Sequence, residues 1–133
     1  MEERFETFTV LIAKISRAIR KIKTQEMAGF HLKSPHVSCL YYLYKERALT
    51  ASALCERCEE DKASISRSLG QLEKSGFIHC PLTDKKKYNA PLTLTDKGVQ
   101  IGKYITEKID EVLEMASEGL SEENRKFFMR VWR

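Results

Sequence analysis

The chain has 133 residues, of which 42% are hydrophobic and 32% are charged, and its formal net charge is +4. These values are ordinary for one globular domain with a single core, and they exclude an intrinsically disordered chain. No apolar stretch approaches the roughly 20 residues that cross a bilayer, and the acidic N-terminus precedes no apolar segment of a secretory signal. We therefore expect a cytoplasmic protein without a membrane partner.

Positive charge concentrates in the middle of the chain. Residues 61–103 carry eight Lys or Arg against four acidic residues, whereas residues 104–133 carry five basic residues against seven acidic ones. A local basic excess favours a polyanionic partner such as nucleic acid. On charge alone, a solvated surface of mixed sign explains the same numbers equally well.

An apolar stripe defines the first predicted helix, which has about five turns. Its members recur at spacings of three and four residues, and they are Phe5, Phe8, Ile12, Ile15, Ile19 and Ile22. This spacing places them on one face of a helix. A long helix with such a face packs against the core of its own chain or against a second copy of the chain.

Three shorter helices with short connections follow, an arrangement typical of a helix-turn-helix. Their predicted ranges are 34–46, 51–58 and 62–75. Ser34, which precedes Pro35, is expected to cap the first of them. Thr50 and Asp61 have the side-chain oxygens that cap the second and the third, and Gly76 ends the third.

A short basic hairpin is predicted after the helix that begins at residue 62. Residues 77–80 and 92–94 have the composition of strands, and the segment 81–91 between them is polar. Its tip carries three consecutive lysines, Lys85, Lys86 and Lys87. Lysines in such a wing can follow a DNA backbone or enter the minor groove, although a triple lysine is also typical of a solubilising loop tip.

Two further helices complete the predicted order. Thr95 caps a long helix with apolar residues at helical spacing up to Gly119, and Ser121 begins a final helix. The predicted fold class is therefore mostly α with a small β-hairpin wing (α+β). In that fold a winged helix-turn-helix is flanked by N- and C-terminal helices.

The helix over residues 62–75 has the two faces that a DNA-recognition helix needs. Ile65, Leu69 and Leu72 share one side and are expected to pack on the preceding helices. The opposite side and its flanks are small or polar: Ala63, Ser64, Ser66, Arg67, Gly70, Gln71 and Lys74. Ser, Arg and Gln can bind phosphates and base edges. An ordinary amphipathic surface helix has the same pattern, and the basic hairpin after it favours DNA.

Three motifs in this region resemble those of the MarR family of bacterial regulators. They are D-K-A-S-I-S-R at 61–67, L-E-K-S-G-F-I at 72–78 and L-T-D-K-G at 94–98. The resemblance extends over nearly the whole chain and implies one MarR-like domain, 1–133. It further implies dimerisation helices in 1–28 and 98–133 and a winged helix-turn-helix DNA-binding lobe in 34–95.

The resemblance also implies what the protein does. The implied function is that of a homodimeric, sequence-specific repressor that binds a near-palindromic operator in double-stranded DNA and needs no cofactor. The implied effector, a small aromatic or anionic molecule, releases the repressor from the operator. Carried over by position, the DNA-binding residues are Lys62, Ser64, Ser66, Arg67, Gln71, Lys85, Lys86 and Lys87. The dimer interface is assigned Phe5, Phe8, Ile12, Phe127, Phe128, Val131 and Trp132. Candidate effector-binding residues are Phe30, His31, His36, Tyr41 and Tyr44, although aromatic residues on the second helix are more often plain core.

Three other classes of function compete with this one. An enzyme is disfavoured because the sequence has no glycine-rich phosphate loop, no H-E-x-x-H and no G-x-S-x-G. A winged-helix module that binds protein would need exposed apolar residues on the recognition helix. A thiol-based redox-responsive regulator is the third alternative, with Cys55 or Cys80 as its sensor. Cys55 and Cys58 form a single C-x-x-C, and without a second such pair no metal site is predicted.

Overall fold

The structure, a computed structural model, describes the backbone of residues 2–80 and 90–132 and the side chains of residues 6–80 and 90–130. Its helices are α1 (Glu2–Lys21), α2 (Ser34–Glu46), α3 (Ala51–Cys58), α4 (Lys62–Lys74), α5 (Asp96–Ser117) and α6 (Glu122–Trp132). Its strands are β1 (Ala48–Leu49), β2 (Ile78–His79) and β3 (Leu92–Leu94). This order confirms the predicted fold class. None of the described helices is long and apolar enough to cross a membrane.

The three predicted oxygen caps at Thr50, Asp61 and Thr95 are present, and Ser121 caps the last helix in the same way. Each accepts a hydrogen bond from the backbone N–H three residues later, the geometry that satisfies an otherwise unpaired donor at a helix start. The distances are 3.1 Å from Ala53 to Thr50, 2.7 Å from Ser64 to Asp61, 3.1 Å from Gly98 to Thr95 and 3.3 Å from Asn124 to Ser121.

The start of α2 differs from the prediction. Ser34 does not cap this helix, because it is already the first helical residue and the N-cap is Lys33. The backbone N–H of Lys33 donates instead to Nδ1 of His36, at 3.0 Å. Burial first, and then the nearby Lys33 charge, lower the pKa of His36, which favours the neutral imidazole that this hydrogen bond requires.

The connection from α1 to α2 was also not predicted. The helix widens into a π-helical turn over Ile22–Glu26, and a 3₁₀ turn follows over Ala28–Phe30. Ile22 and Met27 are buried there, and the Met27 N–H donates to the Ile22 carbonyl at 3.1 Å. The segment therefore contributes to the core although it is irregular.

The three strands form one small antiparallel sheet in the order β1-β3-β2. Ala48 pairs with Thr93, and Ile78 pairs with Leu94. The strand β3 agrees with the prediction, β2 is shorter than the predicted 77–80, and β1 was missed because two residues carry no alternation to detect. The sheet joins the end of α2 to the base of the hairpin.

Helix α2 lies at the centre of the core. It packs against α5 on one side and against α3 and α4 on the other. Its Leu40 and Leu43 have no exposed surface, and neither do Leu54 of α3, Ile65 of α4 and Ile105 of α5. The core is therefore continuous from the helix-turn-helix to the long helix α5.

Candidate nucleic-acid interface

Helix α4 has one buried and one exposed face, as the sequence predicts. Ile65, Leu69 and Leu72 are buried, and so is Ser68, which was not predicted. Of the proposed DNA-binding residues, Lys62, Ser66, Arg67 and Gln71 are exposed and Ser64 is half-buried. The exposed face contains no large apolar residue, which suits a polar surface such as DNA better than a protein groove.

The start of α4 is fixed by a tight turn after α3. Glu59 has a left-handed conformation with φ 53°, and its N–H closes the last turn of α3. Asp61 then caps α4 through the Ser64 N–H. Only three residues separate the two helices, so the position of the end of α3 determines where α4 begins.

The other end of α4 is joined to α5. We call this contact, between residues 75–77 and 95–98, the α4–α5 junction. The Thr95 hydroxyl donates to the Gly76 carbonyl at 2.6 Å, and the Thr95 N–H donates to the Phe77 carbonyl at 3.0 Å. Lys97 Nζ donates to the Ser75 carbonyl at 2.9 Å and lies 4.5 Å from the Phe77 ring centroid. The second and third sequence motifs therefore meet in space.

Two glycines allow α5 to approach its neighbours closely. A Cβ atom at Gly98 would collide with the carbonyl oxygen of Phe77. A Cβ atom at Gly102 would lie 2.8 Å from Cβ of Tyr44 on α2. The glycine of the L-T-D-K-G motif is thus required by the packing of the α4–α5 junction.

Helix α3 is tied to α2 by a two-bond ion pair. Arg57 Nε lies 2.9 Å from Glu46 Oε2, and Arg57 Nη2 lies 3.1 Å from Glu46 Oε1. This fork-shaped geometry is the most directional that a carboxylate can make with a side chain. It orients α3, the helix that precedes α4.

The lysines predicted to form the wing tip, Lys85, Lys86 and Lys87, lie outside the described residues. His79 and Pro91 lie at the two ends of the hairpin that the structure describes, and both are exposed.

Comparisons with known proteins agree with this geometry. The model of the MarR family matches residues 32–80, the segment that contains α2 to β2. The uncharacterised HTH-type transcriptional regulator YybA of Bacillus subtilis (strain 168) is 24% identical over 115 residues, which cover 86% of this chain and 77% of that protein. The crystal structure of MarR is 26% identical, with a TM-score of 0.73, over 94% of this chain and 85% of that one.

A putative MarR-family regulator from Listeria monocytogenes, solved with a 26mer DNA, is 23% identical with a TM-score of 0.75. The aligned region covers 91% of this chain and 81% of the Listeria chain. The chain is thus similar to regulators of the MarR family. The curated relative is described as a transcriptional regulator, and one structural neighbour is solved with DNA.

The structure has an open cleft of about 700 Å³ bordered by α1, α2, α3 and α5. We call it the α2–α5 cleft. It is lined by the basic side chains of Lys23, Lys45 and Arg57 and by the rings of Tyr41 and Tyr42. Since Arg57 is paired with a carboxylate, the two lysines supply the cleft's available positive charge, and Lys45 Nζ lies 5.3 Å from the Tyr41 ring centroid.

The five candidate effector-binding residues do not converge on this cleft. Tyr41 lines it, whereas Phe30 and His31 are exposed outside its lining. His36 is buried and accepts the Lys33 N–H at the start of α2, and Tyr44 packs against Gly102. Lys23 and Lys45 were missed, because only the packing of α2 against α1 and α5 brings them to one cavity.

The candidate dimer-interface residues divide into two groups. Ile12 and Phe127 are each 48% exposed, and the half-buried Phe8 ring lies 5.8 Å from the Phe127 ring in an edge-to-face contact. Phe128 is only 2% exposed, so its side chain belongs to the core of its own chain rather than to a free interface. The side chains of Phe5, Val131 and Trp132 lie outside the described ones.

Proposed function

We propose that the protein is a homodimeric, sequence-specific repressor whose binding to a near-palindromic operator is relieved by a small aromatic or anionic effector. The observation that carries the DNA part is the exposed polar face of α4, held at one end by the α3–α4 turn and at the other by the α4–α5 junction. A recognition helix needs such fixed ends, because base contacts demand a defined position in the groove.

Arg67 is the residue that we propose reads a base. It lies in the middle of the exposed face and forms no ion pair within the described parts of the chain, so its guanidinium is free for a two-bond contact with guanine. Gln71, one turn later, donates to the Ser75 hydroxyl at 3.3 Å and keeps its amide oxygen free as an acceptor. Ser66 lies beside them on the same exposed surface.

Lys62 and Ser64 are proposed to contact phosphates, which position the protein without reading sequence. Both lie in the first turn of α4, where the helix dipole also favours negative charge. Lys85, Lys86 and Lys87 are proposed to contact the flanking minor groove, where lysine supplies charge without the planar fork of arginine.

The experiment is fluorescence anisotropy on the intergenic DNA upstream of the protein's own gene, with a scrambled duplex as competitor and a salt series. Arg67→Ala should weaken specific binding by about 5- to 150-fold, equivalent to about 1–3 kcal/mol, and leave binding to the scrambled duplex little changed. Arg17→Ala removes the same charge from the exposed face of α1 and serves as the control. Equal effects of the two variants on specific binding would contradict the proposed role of Arg67.

The dimer and effector parts rest on other residues. Exposed apolar side chains on the terminal helices, Ile12 and Phe127 among them, support dimerisation through residues 1–28 and 98–133. The α2–α5 cleft supports an effector, because tyrosine rings beside lysines suit an aromatic carboxylate.

A further inference from the structure

The end of α4 closes with a regular capping motif that leaves three backbone carbonyls for other partners. The Phe77 N–H donates to the Leu72 carbonyl at 2.9 Å, and the Gly76 N–H donates to the Glu73 carbonyl at 3.0 Å. Together with the left-handed conformation of Gly76, these two bonds form a Schellman motif. The carbonyls of Ser75, Gly76 and Phe77 lie beyond the last turn of the helix, so they need donors from elsewhere.

The N-cap and the first turn of α5 supply a donor for each of these carbonyls. Thr95 bonds the Gly76 carbonyl through its hydroxyl at 2.6 Å and the Phe77 carbonyl through its backbone N–H at 3.0 Å. Lys97 bonds the Ser75 carbonyl through its ammonium at 2.9 Å. Since Ser75 is the C-cap residue of α4, Lys97 is the partner that holds the helix end itself.

The charge of Lys97 suits the end of α4 better than the start of its own helix. Lys97 lies in the first turn of α5, where the helix dipole favours acidic residues such as Asp96. Its ammonium reaches instead to the carbonyl end of α4, where a cation is favoured. It also lies 4.5 Å from the centroid of the buried Phe77 ring. The ammonium is therefore held from two sides.

Ser75 links this contact to the exposed face of α4. Its carbonyl accepts the Lys97 ammonium, and its hydroxyl accepts the side-chain amide of Gln71 at 3.3 Å. Gln71 lies one turn before Ser75 and is one of the residues proposed to contact DNA. Lys97, Ser75 and Gln71 thus form a chain of two hydrogen bonds that runs from α5 to the proposed DNA-binding face.

We propose that Lys97 is a positioning residue for operator recognition, because it fixes Ser75 and thereby the orientation of the Gln71 amide. Glutamine reads adenine through its amide oxygen and its amide N–H together, so the rotation of the amide decides whether both bonds form. Lys97 touches no base in this arrangement and acts through Ser75 and Gln71. Its effect on DNA rests on the proposed function, whereas the hydrogen bond of Gln71 is measurable without DNA.

The first measurement uses the full-length protein without DNA in a proton–nitrogen NMR correlation spectrum. Lys97→Met removes the ammonium and keeps most of the aliphatic chain. It should shift the side-chain amide signals of Gln71 towards those of Ser75→Ala, which lacks the acceptor hydroxyl. Gln71→Ala assigns the signals by their loss. Lys103→Met removes the same charge from another exposed position of α5 and should leave them unchanged. Gln71 signals that do not move in Lys97→Met would overturn the proposal.

Operator affinity in fluorescence anisotropy tests the consequence. Lys97→Met should weaken specific binding by about 2- to 30-fold and leave the slope of its salt dependence unchanged, because no phosphate contact is lost. Lys97→Arg should restore most of this loss, because a guanidinium also donates to carbonyls and lies over aromatic rings. A reduced salt slope with an equal loss on a scrambled duplex would overturn the proposal, because it would make Lys97 a phosphate contact.

A double-mutant cycle identifies the residue through which Lys97 acts. In the Gln71→Ala background, Lys97→Met should change operator affinity by less than about 2-fold, because the side chain that it positions is absent. The same loss in both backgrounds would overturn the proposal. Wild-type protein that binds no operator would count against the proposed function alone, because the NMR measurement tests the Gln71 contact without DNA. Circular dichroism checks the folding of Lys97→Met, and Lys97→Gln replaces it if that variant unfolds.

Discussion

Replacing Gly98 by alanine tests the α4–α5 junction directly. The added methyl group would collide with the carbonyl oxygen of Phe77 and would lie 3.1 Å from Cδ2 of Leu94. That carbonyl has little freedom to turn away, because it accepts the Thr95 N–H at 3.0 Å and Phe77 is only 4% exposed. The backbone must therefore shift, and the hydrogen bond between the Thr95 N–H and the Phe77 carbonyl must break.

The expected magnitude follows from three contributions to the free energy of unfolding. Alanine in place of glycine within a helix stabilises by about 1 kcal/mol. Overpacking a tight site costs about 1–3 kcal/mol, and a buried carbonyl that loses its partner costs about 1–3 kcal/mol. The net result is a destabilisation of about 3 kcal/mol, which for a chain of this size lowers the midpoint of thermal unfolding by about 10 °C.

The assay is thermal and urea unfolding followed by circular dichroism, at one fixed protein concentration because a dimer's stability depends on it. Gly70→Ala is the matched control, since Gly70 is also helical but a Cβ there meets no atom within 4 Å. It should stabilise by about 0.5–1 kcal/mol. If Gly98→Ala were as stable as the wild type, the close approach of α5 to Phe77 would not be what requires glycine.

Three further predictions concern other parts of the chain. The folded-state pKa of His36 lies below its ordinary value of 6.5. The stability that its neutral ring provides is therefore complete above pH 6.5 and is lost as the pH falls through the folded-state pKa. The His36→Ala variant should lose this part of the pH dependence of the free energy of unfolding in urea. Phe127→Asp should dissociate the proposed dimer in analytical ultracentrifugation, whereas Phe30→Asp, which changes an equally exposed phenylalanine, should not. Salicylate, as a probe of the α2–α5 cleft, should bind in calorimetry and lose affinity in Lys45→Ala but not in Lys103→Ala, a lysine outside the cleft. Equal affinity in both lysine variants would place the effector elsewhere.

The sequence predicted those features that depend on neighbouring residues. Thr50, Asp61 and Thr95 were identified as caps because each oxygen bonds an N–H only three residues away. Gly76 was identified as a helix end, and its φ of +81° is the left-handed conformation that glycine adopts without strain. The hydrogen bond from the Lys33 N–H to His36 was missed because an imidazole nitrogen is an uncommon acceptor at a helix start. The nearby Ser34 is of a residue type that commonly caps helices, so it was preferred.

Features that depend on packing between distant segments were not predictable in the same way. The hydrogen bond from Thr95 to Gly76 joins residues 19 apart, on either side of the hairpin. The motifs contain both residues, but nothing in their spacing shows that they touch.

Helix α4 is held at its two ends by different elements. The start of α4 depends on α3, which Arg57 ties to Glu46 of α2, whereas the end of α4 depends on α5 through Thr95 and Lys97. A ligand in the α2–α5 cleft would contact α2 and α5 together and so affect both ends. We therefore expect perturbations of the two ends to be non-additive, because perturbations that share a packed element couple rather than add.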